Sequence, residues 1–421
     1  MKDRFRSNMM RAAAFGTARI LERSAKAVGW TPVSFEPETL EAAARRSARL
    51  EDFGDPYYRE GLGHLVNSLE RDADLHPIGR VYMRRIIVNA LVNRLRLQEH
   101  KRVYPEIHAR PLRPPIIITG LPRTGSTLLH RMMSRLPGFF APPYWMMVRP
   151  LPAQPGEPED VRQATARREV KWWKVITPSV RAKHRVGINL PEECILPLTL
   201  TFQSKVFHSL VPVEGYLAWY TTCDRRRKYA DYRAILMSLQ AARPGQTLLL
   251  KAPDHLGALD TLCEAVPEAR LVQLHRDPMA VVSSLSSLVY SSQYGLTRRH
   301  DPARLAASLT DYLEATLRRN MEQRRSLAAP VLDIHYDRLV ADPVGAAALI
   351  LKTFDEPMPP RGRAAMTKYL ARAAKSDSPR HQYKSEDFGL DEAHMAERFS
   401  FYSACFAPAP DPANAVNLSL P

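Results

Sequence analysis

The residues best suited to chemistry in this 421-residue chain form the run Gly120-Leu121-Pro122-Arg123-Thr124-Gly125-Ser126-Thr127. It follows the apolar segment Ile116 to Ile118, which reads as an interior strand, and leads into a helical pattern from Ser126 to Leu136. The two glycines allow a turn tight enough for backbone N–H groups to converge at the positive end of that helix, so the loop suits an anion. The spacing from Gly120 to Gly125 and Thr127 reproduces the Walker A pattern except at one place. Ser126 stands where a lysine would reach β- and γ-phosphates, and Arg123 supplies a cation from inside the loop instead. The N–H groups of Thr124, Gly125, Ser126, Thr127 and Leu128, with the two hydroxyls at Ser126 and Thr127, are expected to hold a phosphate of a nucleotide without a γ-phosphate.

A second run, Leu271-Val272-Gln273-Leu274-His275-Arg276-Asp277-Pro278, is a strand pattern ending in polar residues. Asp277-Pro278 opens a helix, because the carboxylate accepts from free N–H groups and proline has none to satisfy at the first helical position. Arg276 therefore falls at the carboxyl end of a strand, where open α/β sheets bind ligands, with Ser284 about two turns into the next helix. Together they suit a second phosphate. Lys251 ends another strand pattern, Thr247 to Leu250, and adds a second cation at a strand end. No strand ends in an aspartate of the kind that fixes magnesium beside a triphosphate, and Asp333 alternates with apolar neighbours as a structural residue would. No metal is expected.

Taken in order, these segments resemble the sulfotransferases that use 3′-phosphoadenosine 5′-phosphosulfate, in a bacterial branch whose motifs are similar to those of tyrosylprotein sulfotransferases. The resemblance extends to Leu250-Lys251-Ala252-Pro253-Asp254-His255-Leu256 and to His381-Gln382-Tyr383 through Asp387-Phe388-Gly389-Leu390-Asp391. It implies the 5′-phosphosulfate at the Gly120–Thr127 loop, the 3′-phosphate at Arg276 and Ser284, and further nucleotide contacts from Tyr336, His381 and Tyr383. It also implies Arg123 at the sulfonate and Lys251 at the leaving oxygen. The glutamate that follows a tryptophan in this branch is absent, because the chain reads Trp145-Met146. A base for the acceptor hydroxyl must then come from Glu192 or Glu193, or from His184, His208 or His255. Glu192 and Glu193 read equally as caps of a helix after Pro191, and His255 as an orienter of Lys251 or a cap at Asp254.

The elements around these residues read as α/β: a P-loop-like, doubly wound parallel sheet with an N-terminal helical region and a helical insertion. Helical patterns over Arg45 to Leu50, Leu62 to Leu69 and Ile78 to Gln98 mark residues 1–110 as the helical region. Strand patterns at Ile116 to Thr119, Thr247 to Leu250, Leu271 to His275 and Val331 to His335 mark residues 111–400 as the sulfotransferase-like domain. Residues 140–245, rich in large apolar side chains, form the insertion expected to shape an acceptor pocket. Residues 401–421 read as a tail.

The net charge of +16 is spread along the chain, which argues against specific nucleic-acid binding and leaves fields for an anionic cofactor. Basic residues within the first thirty suit a surface helix of the fold or a peripheral contact with anionic membrane. Four scattered cysteines fit a reducing cytoplasm, including its inner-membrane face. The expected activity is sulfuryl transfer to a hydroxyl of a hydrophobic small molecule or lipid. The competing readings are a P-loop nucleotide kinase and a non-catalytic basic protein binding membrane or nucleic acid on a nucleotide fold.

Overall fold

The computed structural model describes residues 33–153, 157–158, 161–177, 180, 186–375 and 385–406. Among these residues five strands, β1 (Ile116–Gly120), β2 (Phe139–Phe140), β3 (Thr247–Lys251), β4 (Arg270–His275) and β5 (Val331–His335), pair in the order β2-β3-β1-β4-β5. Every pairing is parallel. Side chains alternate between two covered faces, which is why the strands read as unbroken apolar runs. Ile117, Leu248, Leu250 and Leu271 pack with the helices Arg226–Ala241 and Leu259–Ala265. Ile116, Ile118, Leu249 and Val272 pack on the opposite face with the helices Ser126–Met133 and Pro343–Thr353. The doubly wound α/β sheet inferred from the strand patterns is present, and the additional strand is β2, whose two residues are too few to show a period.

The patterns at Leu62 to Leu69 and Ile78 to Gln98 lie within longer helices, Tyr58–Arg71 and Pro77–Val103, whereas the one at Arg45 to Leu50 overlaps only the end of the helix Pro37–Ala48, which Arg49 closes at φ 54°. Their Leu40, Leu62, Leu65 and Ile87 share one core with Val281, Leu285, Leu309 and Leu313 from the helices Pro278–Gln293 and Pro302–Ser326. The pattern change near residue 110 therefore marks a switch of element type without a break in the core. The other expected boundary needs correction. A tail beginning at 401 would cut the helix Ser400–Phe406, whose Tyr402 and Phe406 are buried against β4. The Phe406 ring stacks on His275 with centroids 4.1 Å apart, and the Tyr402 hydroxyl lies 2.7 Å from His275 Nδ1. Aromatic side chains one turn apart give that short helix an apolar face, and residues 407–421 fall outside the described part.

The same edge of the sheet contains a buried charge network. Asp333 on β5 accepts from Arg324 Nη1 and Nη2 at 2.6 and 2.7 Å and lies 2.7 Å from His275 Nε2. These contacts hold the Asp333 carboxyl below its usual range against the opposing effect of burial. The aspartate is thus used within the fold. Asp333→Ala should cost about 3–5 kcal/mol in urea denaturation, because it strands a buried guanidinium, whereas Asp333→Leu combined with Arg324→Leu should recover most of the loss. Equal destabilisation by the single and double variants would refute this assignment.

Candidate active site

The loop after β1 owes its shape to residues with left-handed backbone. Gly120 has φ 125°, and a Cβ there would sit 2.3 Å from the Leu274 carbonyl oxygen. Gly125, at φ 78°, precedes the helix Ser126–Met133, where a Cβ would meet Leu339 Cδ2 at 2.9 Å. Between them the Thr124 hydroxyl donates to the Leu121 carbonyl at 2.7 Å and closes the turn. No side chain caps the helix, so the first N–H groups of Ser126, Thr127 and half-buried Leu128 face the loop.

Arg276 and Ser284 meet at this loop, but they do so through Arg123. Arg276 Nη1 donates to the Arg123 carbonyl at 2.6 Å, and its guanidinium lies 4.1 Å from the centre of the Tyr336 ring. Arg123, itself at φ 67°, donates from Nε to Ser284 Oγ at 3.0 Å. Both arginines therefore converge on the position expected for the second phosphate. The side chain of Arg123 points toward Ser284, the residue expected at the 3′-phosphate. A left-handed backbone at Arg123 and a hydroxyl two turns into another helix decide that direction, and neither is visible locally.

Lys251 closes the other side of the loop. Parallel register sets Ile118 beside Lys251, so the strand end delivers the ammonium next to the loop although the residue is only 1% exposed. Its Nζ donates to Thr127 Oγ1 at 3.2 Å and forms an ion pair with Glu193 Oε1. The Cys194 N–H donates to the Lys251 carbonyl at 3.0 Å, which fixes the Glu193 backbone at the end of β3. Glu192 is buried, accepts from the Glu193 N–H at 3.1 Å and lies 3.9 Å from the Arg131 guanidinium.

No helix begins at Pro191. A turn leads to the short 3-10 helix Pro197–Thr201, so the two carboxylates do not serve as helix caps. Pro191 bridges Pro143, and the Glu192 N–H donates to the Pro142 carbonyl at 3.2 Å. The carboxylate pair thus runs alongside the Trp145-Met146 segment, while Met146 is packed in the core of one sheet face.

The histidines stand elsewhere. His255 contacts the Tyr229 hydroxyl at 3.0 Å through Nδ1 and packs on the rings of Tyr229 and Tyr232, where burial lowers its pKa to about 3. It neither touches Lys251 nor lines the cavity described below, which corrects its expected catalytic role. His208 is buried 3.4 Å from Glu214 and also lies off the cavity wall. His184, His381 and Tyr383 fall outside the described residues.

A cavity of about 520 Å³ joins Arg123, Thr127, Arg276, Glu192 and Glu193 to an apolar interior that includes Ile86, Val206, Leu285 and Leu313. Lys205 also lines it, with Nζ 4.7 Å from the Tyr312 ring centre. Burial outweighs the attraction of Asp254 and lowers the Lys205 pKa to about 8. Glu169, another wall residue, is pushed up by burial although Arg85 and Asn89 bind it at 2.9 and 2.7 Å. Neither residue stands out in the sequence: Lys205 is the single charge in Phe202-Gln203-Ser204-Lys205-Val206-Phe207, and Glu169 lies among Arg167, Arg168 and Lys171.

A sheet edge built this way places the chain among P-loop-like α/β proteins. The model of the sulfotransferase family matches residues 114–360, and the protein belongs to that family. The omega-hydroxy-beta-dihydromenaquinone-9 sulfotransferase Stf3 of Mycobacterium bovis is 24% identical over 321 residues, covering 69% of this chain and 75% of the relative. Sulfotransferase STF1 of Mycobacterium tuberculosis superposes with a TM-score of 0.74 at 29% identity, over 88% of this chain and 99% of its own. STF9 of Mycobacterium avium has the same fold, with a TM-score of 0.77 at 23% identity over 88% and 96% of the two chains.

The arrangement of Arg276 should distinguish nucleotides by their phosphates. Arg276→Ala should weaken adenosine 3′,5′-bisphosphate by about 1.5–3 kcal/mol in titration calorimetry, the size of a charge-assisted hydrogen bond, and leave 5′-AMP nearly unchanged. A matching loss for both nucleotides would move Arg276 away from the 3′-phosphate.

Proposed function

We propose that the protein transfers a sulfuryl group from 3′-phosphoadenosine 5′-phosphosulfate to a hydroxyl of a hydrophobic small molecule or lipid. The observation that carries this reading is Lys251, whose Nζ contacts both Thr127 of the phosphate-type loop and the Glu193 carboxylate at the cavity. The donor fits the residues present. The uncapped helix and the Ser126 and Thr127 hydroxyls suit its 5′-phosphate, while Arg123, Arg276 and Ser284 suit the 3′-phosphate. When bound, the donor supplies the group transferred and a phosphate oxygen that gains charge as the bond to sulfur breaks.

Lys251 stabilises that charge, and the stabilisation grows as the transition state is approached. Engagement of its ammonium by the phosphate releases Glu193, which takes the proton of the acceptor hydroxyl. Glu192, held by the Glu193 N–H and near Arg131, positions this segment. The apolar cavity excludes water from the transfer and holds the rest of the acceptor. The Mycobacterium bovis relative is named for a hydroxylated menaquinone substrate, which supports an acceptor of lipid character.

The base assignment is tested with labelled donor and an acceptor found by screening a cell lipid and metabolite extract. Glu193→Gln should lower turnover by about a hundredfold or more, whereas Glu192→Gln should retain most activity. Full activity in both variants would exclude the carboxylate pair and leave His184, outside the described residues, as the remaining sequence-derived candidate.

A further inference from the structure

The helix Val161–Ile176 walls one side of the cavity and carries an unusual outer face. Arg167, Arg168, Lys171, Trp172, Lys174 and Val175 are exposed, whereas Thr165, Ala166, Glu169 and Val170 are turned inward. Its one carboxylate, Glu169, is on the buried side with Arg85 and Asn89, so the exposed face presents four cations and no acid. Trp172 and Val175 are 41% and 68% exposed, and Val81 is 39% exposed. These are three of the five exposed large apolar side chains among the described residues. Val81 lies one turn before Arg85 on the helix Pro77–Val103, and the Arg85 guanidinium is 5.7 Å from the Trp172 ring centre.

The surface is continuous with the cavity, since Trp173, Tyr82 and Ile86 line it from the same two helices. In water this face carries two costs, exposed apolar area and mutual repulsion of cations. Both are relieved at an anionic lipid surface, where indole rings settle at headgroup depth and basic side chains meet phosphates. A nucleic-acid duplex would use the cations and leave the exposed valines without a role.

We propose that this face docks the protein on an anionic lipid leaflet, with Trp172 and Val175 entering the headgroup region beside the cavity. The inference goes beyond the acceptor reading, because it follows from the surface and holds whichever hydroxyl is sulfated. Its test is cosedimentation of the full chain with vesicles of phosphatidylcholine mixed with phosphatidylglycerol, and with phosphatidylcholine alone. The mixed vesicles should bind and the neutral ones should bind far less. Lys171→Gln combined with Lys174→Gln should weaken binding about thirtyfold, from the usual contribution of each cation near such a surface. Trp172→Ser combined with Val175→Ser should weaken it about tenfold or more. Both variants should keep the affinity for adenosine 3′,5′-bisphosphate.

Unchanged vesicle affinity in both variants would place the contact elsewhere and overturn the proposal. A loss in the lysine variant alone would reduce the face to a polyanion surface and overturn the insertion of Trp172 and Val175. Absence of vesicle binding with bisphosphate binding intact would overturn docking and leave the proposed reaction standing.

Discussion

A buried ammonium must be matched by anions or polar acceptors, and Lys251 imposes that condition on three parts of this protein. It comes from β3, it contacts Thr127 at the start of the helix after β1, and its charge is met by Glu193 from the insertion. Parallel register between β1 and β3 and the Cys194 N–H on the Lys251 carbonyl leave little freedom in where those parts stand. The loop without a Walker lysine thereby gains a cation from the neighbouring strand. An ammonium delivered from that side sits between Thr127 of the loop and Glu193 on the cavity wall.

The surroundings of the cavity make charge expensive unless it is used. Lys205 has its pKa lowered to about 8, and Glu169 has its own raised, both chiefly because burial disfavours the charged form. In such a setting an electrostatic contact changes more with the charge of a bound molecule than the same contact would in water. The loop side of the site is built differently. Arg123 and Arg276 remain open to solvent to some degree and interlock through a carbonyl and a serine hydroxyl, an arrangement suited to holding an anion without a large conformational change.

Much of the fold was legible because both faces of the central sheet are covered. Ile116 to Ile118 and Leu248 to Leu250 read as continuous apolar runs for that reason. The two-residue β2 offered no period, and the helix Ser400–Phe406 was hidden by the proline-rich sequence that follows it. Within the site, Glu192 and Glu193 were noticeable as carboxylates in an apolar stretch. The direction of Arg123 was not, since it depends on a backbone angle and on Ser284 from a distant helix. His255 misled for a related reason. It lies four positions after Lys251, but the 3-10 turn Pro253–His255 carries its ring into the Tyr229 and Tyr232 cluster. Sequence spacing conveys proximity along an element and says little about side-chain direction at its end.

The role proposed for Lys251 is to act on charge that develops during transfer. Turnover with labelled donor and the affinity for adenosine 3′,5′-bisphosphate should be measured side by side for the unmutated protein and Lys251→Ala. Turnover should fall by about a hundredfold or more while bisphosphate affinity stays within a few-fold. Equal losses in both quantities would make Lys251 a ground-state phosphate clamp and contradict the role assigned to it.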